Sequence, residues 1–552
     1  VARVRAVADP LVVGAVGITA LCRRLGWSPP LVLVAAGLVV SFVPGVPRFE
    51  VGSKIILEFV LPPLLYSAAL SSSYQDFRRA RNSILRLGVG LVLVTAVAVA
   101  VVAWAIVPDL PITVALVLGA VVAPPDAVAA VAVGRRLGLP RRVMTLLTGE
   151  SLINDATSLT LYKVAIAGVA TGAAVPSAGL RVFMVAVLVG TGLGLLIGYV
   201  VHRLRLHLDD PVVASTIGLL TPFAAYWAAE TLGGSGVLAV VAAGLYLGHT
   251  APQAGYATRL YEAPVWSSVD LPLEAFTFAL IGVQLKWVLG DVIASDQGLG
   301  IAGALSLAVL ATVVLVRPLH VFATARVDLI RLRGSHRTPH EALATAEHAV
   351  VSWAGMRGVV TLAAAAAIPA TVNGAPFPAR ATLQLVAYAV AIGTLLLQGL
   401  SLPWVIRRLS VEEHDDDERD AAQEAELRLA TAAAAQRVIE SKTAARSREL
   451  GATQALAATD ALVRAGSVRA QAAAAMLDPA RGDDDPALAG APAAPVRGER
   501  GHRLRRDILA APRQVLVAGR DAGELDEAVM RRVLRELDLE DERMTASWLN
   551  RV

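Results

Sequence analysis

"VVAPPDAVAAVAVG", residues 121–134, sets two consecutive prolines in the middle of an apolar run. Pro124 and Pro125 remove two backbone donors, and each disfavours helix at the residue before it. The spacing predicts a helix that breaks there. In a hydrocarbon core an opened backbone is tolerated only where protein or a wet cavity meets it, and transporters use such half-helix ends as ion sites. Asp126 sits at the break. It can cap the second half-helix at 126–133, or it can help to hold an ion, and both readings stay open on this stretch alone.

The surrounding chain has 552 residues, of which 55% are hydrophobic and 17% charged, with a mean hydropathy of +0.59. That is far from the makeup of a soluble domain. The fold class it implies is an all-α polytopic membrane protein. The formal charge of +4 says little, because the placement of basic residues carries the information. Cys22 is the single cysteine, which excludes disulfide frameworks and thiolate metal sites. Arg3 and Arg5 before a short apolar run resemble the start of a signal peptide, and "TALC" a lipoprotein site. Leu21 fits poorly before Cys22 and no small-residue cleavage site follows, so a first transmembrane helix is expected.

Apolar stretches able to cross a core of about 30 Å fall near 10–26, 30–46, 53–72, 84–107, 111–134, 142–170, 178–203, 210–231, 234–249, 271–290, 297–325, 347–371 and 380–405. This gives about thirteen spans. The connections alternate in charge, as cytoplasmic and external loops should. Basic ones are "RRLGW", "FRRARNSILR", "GRRLGLPRR", "HRLRLH", "ATRLYEAP", "ARVDLIRLRGSHR" and "IRRLS". Between them lie "VPDLPI", "TGAAVPSAG", "TLGGSG", "LGDVIASDQG" and "NGAPFPAR", nearly free of positive charge. The loop "VPRFEVGSK" runs against the pattern, with Arg48 and Lys54 on the side read as external. An odd span count with a basic end after Trp404 puts the N-terminus outside and the C-terminus in the cytoplasm. The transmembrane domain is expected over 1–408 and a cytosolic, helical and partly disordered tail over 409–552. Within that tail 421–477 reads as helix, "DPARGDDDPALAGAPAAPVRGERG" as a flexible linker, and Leu525, Val529, Val533 and Leu534 as one face of a last helix.

Ionisable groups in a bilayer cost several kcal/mol unless they face a partner or a wet cavity. In "TGESLINDATSLTLY", residues 148–162, Glu150 and Asn154 share a helix face, and Ser151 and Asp155 lie one step around. One strip thus gathers two carboxylates, an amide and a hydroxyl. Hard oxygen donors suit a small dehydrated cation, and a carboxylate among them holds either a cation or a proton. A polar cluster that ties helices together is the other reading of the same strip. "SWAGMRGVVTLAAAAAIP", residues 352–369, carries Arg357 between Gly355 and Gly358 and forms a second interrupted segment, which points to an internal repeat. Arg317, followed by Pro318, cannot discharge and needs an acid; Glu150 is the expected partner. Glu230 and Glu274 read as interfacial, and His202, His207, His320 and His340 show no metal-ligand spacing. No cofactor and no nucleic-acid partner are expected.

These motifs resemble the sodium/proton antiporters of the monovalent cation:proton antiporter-1 family, which includes the bacterial NhaP-type proteins and the animal sodium/hydrogen exchangers. "LPPLLYSAAL", "PPDAVAA", "GESLINDATSLTLY", "SGVLAVVAAGLYLGH", "LIGVQL", "VRPLHVF" and "GMRGVVTLAAAAAIP" occur in the family's order over roughly residues 10–408. The resemblance implies that Asp155, beside Asn154, is the ion-binding carboxylate, and that Glu150 pairs with Arg317. It also implies an inverted repeat with crossed broken helices, a homodimer in the cell membrane, and electroneutral exchange of sodium or lithium for protons, with potassium as the rival cation. Two positions depart from the family. Pro125 stands where members often carry Thr, and Ser67 where several carry an acid, so oxygen or charge near the site is expected to be lost. A hydrolase using Ser151 and Glu150 lacks the second glycine of a nucleophile elbow and a nearby histidine. A channel would need a continuous pore. The chain is therefore expected to be a carrier and not an enzyme.

Overall fold

The computed structural model describes residues 2–27, 29–44, 56–172, 176–208, 210–294, 298–332, 343–411, 415–450 and 499–549. Arg48, Lys54, His340 and the stretch 451–498, which holds most of the expected linker, lie outside the described residues. The helices run α1 (Ala2–Leu25), α2 (Pro29–Ser41), α3 (Leu61–Ser71), α4 (Tyr74–Leu85), α5 (Val92–Ile106), α6 (Ile112–Val122) and α7 (Ala127–Arg136). They continue as α8 (Arg141–Thr171), α9 (Pro176–Arg205), α10 (Pro211–Thr231), α11 (Gly236–Thr250), α12 (Tyr256–Ile293) and α13 (Gly298–Leu332). Then come α14 (Thr345–Trp353), α15 (Val359–Ala366), α16 (Arg380–Thr394) and α17 (Leu400–Leu409). The last are α18 (Asp415–Leu450), α19 (Glu499–Ala522) and α20 (Glu527–Leu549). One small hairpin pairs β1 (Thr371–Val372) with β2 (Ala375–Pro376).

Six helical stretches among the described residues are long and apolar enough to cross a membrane: 74–106, 179–205, 211–231, 256–293, 298–327 and 380–409. Several other stretches read as spans are divided by breaks, as α6/α7 and α14/α15 are, or interrupted by polar residues, as α8 is by Glu150, Asn154 and Asp155. Exposed Leu188, Leu307, Leu315 and Leu319 give α9 and α13 the apolar outer surface that lipid requires.

Two basic connections read as loops are helical. "FRRARNSILR" forms most of α4, which passes through a π-helical turn at Arg86–Leu91 into α5. Ser73 accepts a hydrogen bond from the Asp76 N–H at 3.1 Å and so caps the start of α4. "ATRLYEAP" opens α12, with Pro264 and Pro272 inside the helix. Charge marks a loop only when nothing else satisfies the backbone, and here continuous helix does so.

The chain forms two compact units, Val1–His249 with Ala263–Glu412, and Thr250–Glu262 with Glu413–Val552. In the first, α6 is apolar and buried nearly all round. It meets α5 so closely that a Cβ on Gly119 would stand 2.1 Å from the Ala96 carbonyl oxygen. Gly37 of α2 and Gly282 of α12 meet in the same manner, each where a Cβ would strike the other helix's backbone. In the second unit Val529, Met530, Val533 and Leu534 of α20 pack with Leu427 of α18 and Leu516 of α19, with Leu525 against them. Asp538 of α20 is buried and accepts from Arg259 Nε at 2.7 Å and from Arg513 Nη2 at 3.1 Å.

Gly119→Leu should lower stability by about 1–3 kcal/mol or more, since the obstructing atom is backbone and cannot turn aside. A thermal midpoint of the detergent-solubilised variant equal to that of the wild type would show that α5 and α6 do not approach as described.

Candidate functional site

The two interrupted segments meet. Helix α6 ends at Val122, the chain runs without helix through Ala123, Pro124, Pro125 and Asp126, and α7 resumes at Ala127. In the other segment α14 ends at Trp353 and α15 starts at Val359. The Asp126 N–H donates to the Met356 carbonyl at 2.6 Å, joining one break to the other. At Gly358 an added Cβ would fall 1.5 Å from Asp126 Oδ2, so only glycine leaves room for that carboxylate.

The break strands backbone carbonyls, and four of those around it find side-chain donors. Pro124 has no N–H for the Ala120 carbonyl, and the Ser158 hydroxyl donates to that oxygen at 2.8 Å instead. Arg357, fully buried, donates from Nε to Val122 O at 3.0 Å, from Nη2 to Ala123 O at 3.2 Å, and from Nη1 to Gly355 O. A guanidinium at the end of α6 also opposes the negative pole of that half-helix. The Arg357 N–H in turn donates to Thr394 Oγ1 at 2.9 Å. Asn154 Nδ2 donates to Pro125 O at 2.7 Å.

This last bond fixes the amide. A carbonyl oxygen only accepts, so the NH2 of Asn154 must face Pro125, and Asn154 Oδ1 is left buried without a hydrogen-bond partner. Asp155 follows it on α8 and is 5% exposed; among the described residues it makes no hydrogen bond or ion pair. Asp126 lies close enough for its charge to act on Asp155. Ser151, half-buried, is one turn before Asp155 on α8.

Glu150 is held differently. Arg317 of α13 donates from Nη1 to Glu150 Oε1 at 2.5 Å and from Nη2 to Oε2 at 2.7 Å, a bidentate pair in which the side chains are 1% and 2% exposed. Arg317 Nε also donates to Val351 O at 2.9 Å. Gly355 makes space for this side chain, since a Cβ there would stand 2.5 Å from Arg317 Cδ.

A family model described as "Sodium/hydrogen exchanger, transmembrane" matches residues 11–408. The chain belongs to this family. It is thus a multi-pass helical membrane protein of an antiporter family. Among exchangers similar to it, an uncharacterised Na+/H+ exchanger of Mycobacterium tuberculosis is 34% identical over 534 residues, 95% of this chain and 93% of that protein. A Na+/H+ antiporter of Aphanothece halophytica is 28% identical over 385 residues, 69% of each chain. A sodium, potassium, lithium and rubidium/H+ antiporter of Bacillus subtilis is 29% identical over 389 residues, 68% of this chain and 57% of that protein. The solved structure of a sodium proton antiporter from Methanocaldococcus jannaschii shares the fold, with a TM-score of 0.58 at 19% identity over 74% of this chain and 98% of that one.

The structure brings Asn154, Asp155, Asp126, Arg357 and the Pro124–Pro125 break of this exchanger together, and sets Glu150 with Arg317 beside them. Sequence reasoning missed Ser158 and Thr394, whose hydroxyls meet the broken backbone. It also missed Asp270. The Ser67 hydroxyl donates to Asp270 Oδ2 at 2.5 Å, so a carboxylate of α12 stands next to the position where several family members carry an acid. Glu274, read as interfacial, lies in the middle of α12 and not at its end. The signal for both was present: two acids four apart on an apolar helix share one face. Glu230, in contrast, pairs with Lys163 of α8 near the end of α10. Among the described residues no group of His, Cys, Asp and Glu has the geometry of a metal site.

Breaking a buried pair from one side costs roughly 3–5 kcal/mol, because the other charge stays unpaired. Glu150→Gln and Arg317→Ala should each lower the thermal midpoint of the solubilised protein more than the double replacement does. Strictly additive losses would mean that the two side chains do not meet.

Proposed function

We propose that the chain is a secondary antiporter that exchanges sodium, and also lithium, for protons by alternating access. The observation that carries this reading is the pair Asn154-Asp155: a buried carboxylate next to an amide oxygen, both without a hydrogen-bond partner among the described residues, at the crossing of two broken helices. An anion so placed requires either a proton or a cation, and the amide oxygen adds a hard donor that favours the cation. Competition between the two at Asp155 couples their movements. Ser151 and Asp126 complete the set of oxygens, while Arg357 and the prolines hold the break open and neutral. The Glu150–Arg317 pair is structural, since its arginine cannot release the acid by losing a proton.

The finer features follow the same reading. One exchangeable carboxylate in the Asn-Asp pair supports one proton for one monovalent cation, hence electroneutral exchange. The charge pattern of the connections supports an external N-terminus and a cytoplasmic tail in the plasma membrane. The working unit is a homodimer. Potassium is the second reading, favoured by the Bacillus subtilis relative, a sodium, potassium, lithium and rubidium/H+ antiporter.

In proteoliposomes carrying a pH dye, sodium and lithium should dissipate an imposed pH gradient, and Asp155→Asn should abolish this while the protein remains folded, because an amide does not titrate. Near-normal exchange by that variant would remove Asp155 from the mechanism, and a response to potassium larger than that to sodium would favour the second reading. Moving one net charge through the membrane potential is worth about 2.3 kcal/mol per 100 mV. Sodium-driven proton movement should therefore keep its direction and extent under a valinomycin-set potential; a steep shift of the equilibrium pH gradient with voltage would refute one-for-one exchange and bring Asp126 in as a second proton carrier.

A further inference from the structure

Several buried threonines in the helices of the first unit spend their hydroxyls on the carbonyl four residues back. Thr157 donates to Ile153 O at 2.9 Å, and Thr160 to Ala156 O, Thr221 to Ile217 O and Thr277 to Leu273 O, each at 2.7 Å. Thr361 does not. It is 1% exposed, and among the described residues its Oγ1 has no hydrogen-bond partner. The cause is local: α15 begins at Val359 with Gly358 as its N-cap, so Thr361 is the third residue of the helix and the carbonyl four back, that of Arg357, lies in the break.

Two contacts fix the side on which that hydroxyl lies. The N-cap side-chain position of a helix adjoins its third residue, which is the geometry of a capping box. Gly358 supplies no side chain, and the Asp126 carboxylate fills the position instead, since an added Cβ would coincide with it. On another face of α15, Ala363 packs with Ile56 and Val60 and with Leu280 and Val283 of α12. Thr361 is set roughly 160° around the helix from Ala363, so it turns from α12 toward the other neighbours of α15, which are α6, α8 and α16. There Asn154 of α8 is tied to Pro125, the residue before Asp126. The Thr361 hydroxyl, the Asp126 carboxylate and the bare Asn154 Oδ1 thus gather at the start of α15.

A hydroxyl enclosed in an apolar bundle without a hydrogen bond is costly, and its oxygen is a hard donor of the kind that suits a small dehydrated cation. We propose that Thr361 is a further cation ligand of the exchange site, its hydroxyl oxygen binding the monovalent ion together with the Asp126 carboxylate at the start of α15. The inference rests on the antiport reading above and deepens it, because it gives the second broken helix a side chain that sets affinity. A neutral oxygen adds coordination and no charge, so the balance of one proton for one cation at Asp155 is unchanged. The positive pole of α15 by itself repels a cation, and the carboxylate that stands on it offsets this.

The test is the sodium dependence of exchange by the purified full-length protein in proteoliposomes, with the thermal midpoint of each solubilised variant recorded over a range of sodium concentrations. Thr361→Val removes the hydroxyl and keeps the shape, and Thr361→Ser keeps the hydroxyl. Thr382→Val is the control: Thr382 is the third residue of α16, is also buried without a hydrogen-bond partner among the described residues, and stands twelve residues, about 18 Å of helix, before the Thr394 that meets the break. Thr361→Val should raise the half-saturating sodium concentration about fivefold with the maximal rate kept within about twofold, the signature of lost binding and not of lost turnover. Its sodium-free midpoint should not fall below that of the wild type, because the hydroxyl has no bond to lose, while the sodium needed to raise that midpoint should increase by about the same fivefold. Thr361→Ser and Thr382→Val should both stay within about twofold of wild type. Half-saturation in Thr361→Val equal to that of the wild type overturns the inference. So does a Thr361→Ser as impaired as Thr361→Val, since shape and not the hydroxyl would then matter, and so does an equal loss in Thr382→Val. If Thr361→Val does not fold, Thr361→Ala against Thr361→Ser decides, because those two differ by the hydroxyl alone. A wild-type protein that exchanges no cation for protons would instead sink the antiport reading itself.

Discussion

Everything at the centre of this protein depends on satisfying a backbone that has been opened where no water competes for it. An unsatisfied peptide group in hydrocarbon costs several kcal/mol, and Pro124 and Pro125 create such groups in consecutive positions. Four carbonyls around them are met by side chains from two other segments: Ser158 and Asn154 of α8 on Ala120 and Pro125, and Arg357 of the second break on Val122 and Ala123. The Asp126 N–H, freed by the break, turns to Met356 of the second break. Remove these donors and the crossing has no reason to persist.

The same requirement sorts the charges. Arg357 is consumed by carbonyl oxygens, so it does not neutralise an acid at contact distance. Arg317 is consumed by Glu150 in a bidentate pair. Among the described residues Asp155 is consequently left as a buried acid with no fixed counter-charge, and Asn154, its NH2 tied to the break, with a bare oxygen. The bare oxygens of Asn154 and Asp155 and the stability of the broken helices thus come from one set of hydrogen bonds. A substitution in Arg357 or Asn154 disturbs both at once, whereas a substitution in Asp155 touches only the first.

The glycines serve that geometry by making room. Gly358 is open because the Asp126 carboxylate occupies the space of a side chain, and Gly355 because Arg317 passes it. Gly119 brings α6 against the backbone of α5, which holds the first half-helix in register with the break that follows it. Close approach of helices through small residues is the way membrane proteins gain packing without a hydrophobic driving force. The second unit is held by other means, an apolar seam around Val529 and Val533 and a buried carboxylate, Asp538, between Arg259 and Arg513.

What the sequence by itself determined is the part that local chemistry dictates. Two adjacent prolines must break a helix, an arginine in an apolar span must find an acid, and residues four apart must share a face; these rules located the breaks, the Glu150–Arg317 pair and the strip on α8. The face that α20 buries through Val529, Val533 and Leu534 was legible for the same reason. What only the tertiary structure decided is which distant groups meet. Ser158, Thr394 and Ser67 are ordinary hydroxyls in sequence, and each acquires its role from a backbone or carboxylate far along the chain. Glu274 and Asp270 were misjudged or missed because α12 begins within a basic stretch that reads as a loop, so its midpoint was placed at its end. Periodicity and charge describe one helix at a time; a partner supplied by another helix is fixed by packing, and packing follows from the whole set of contacts and not from any one stretch.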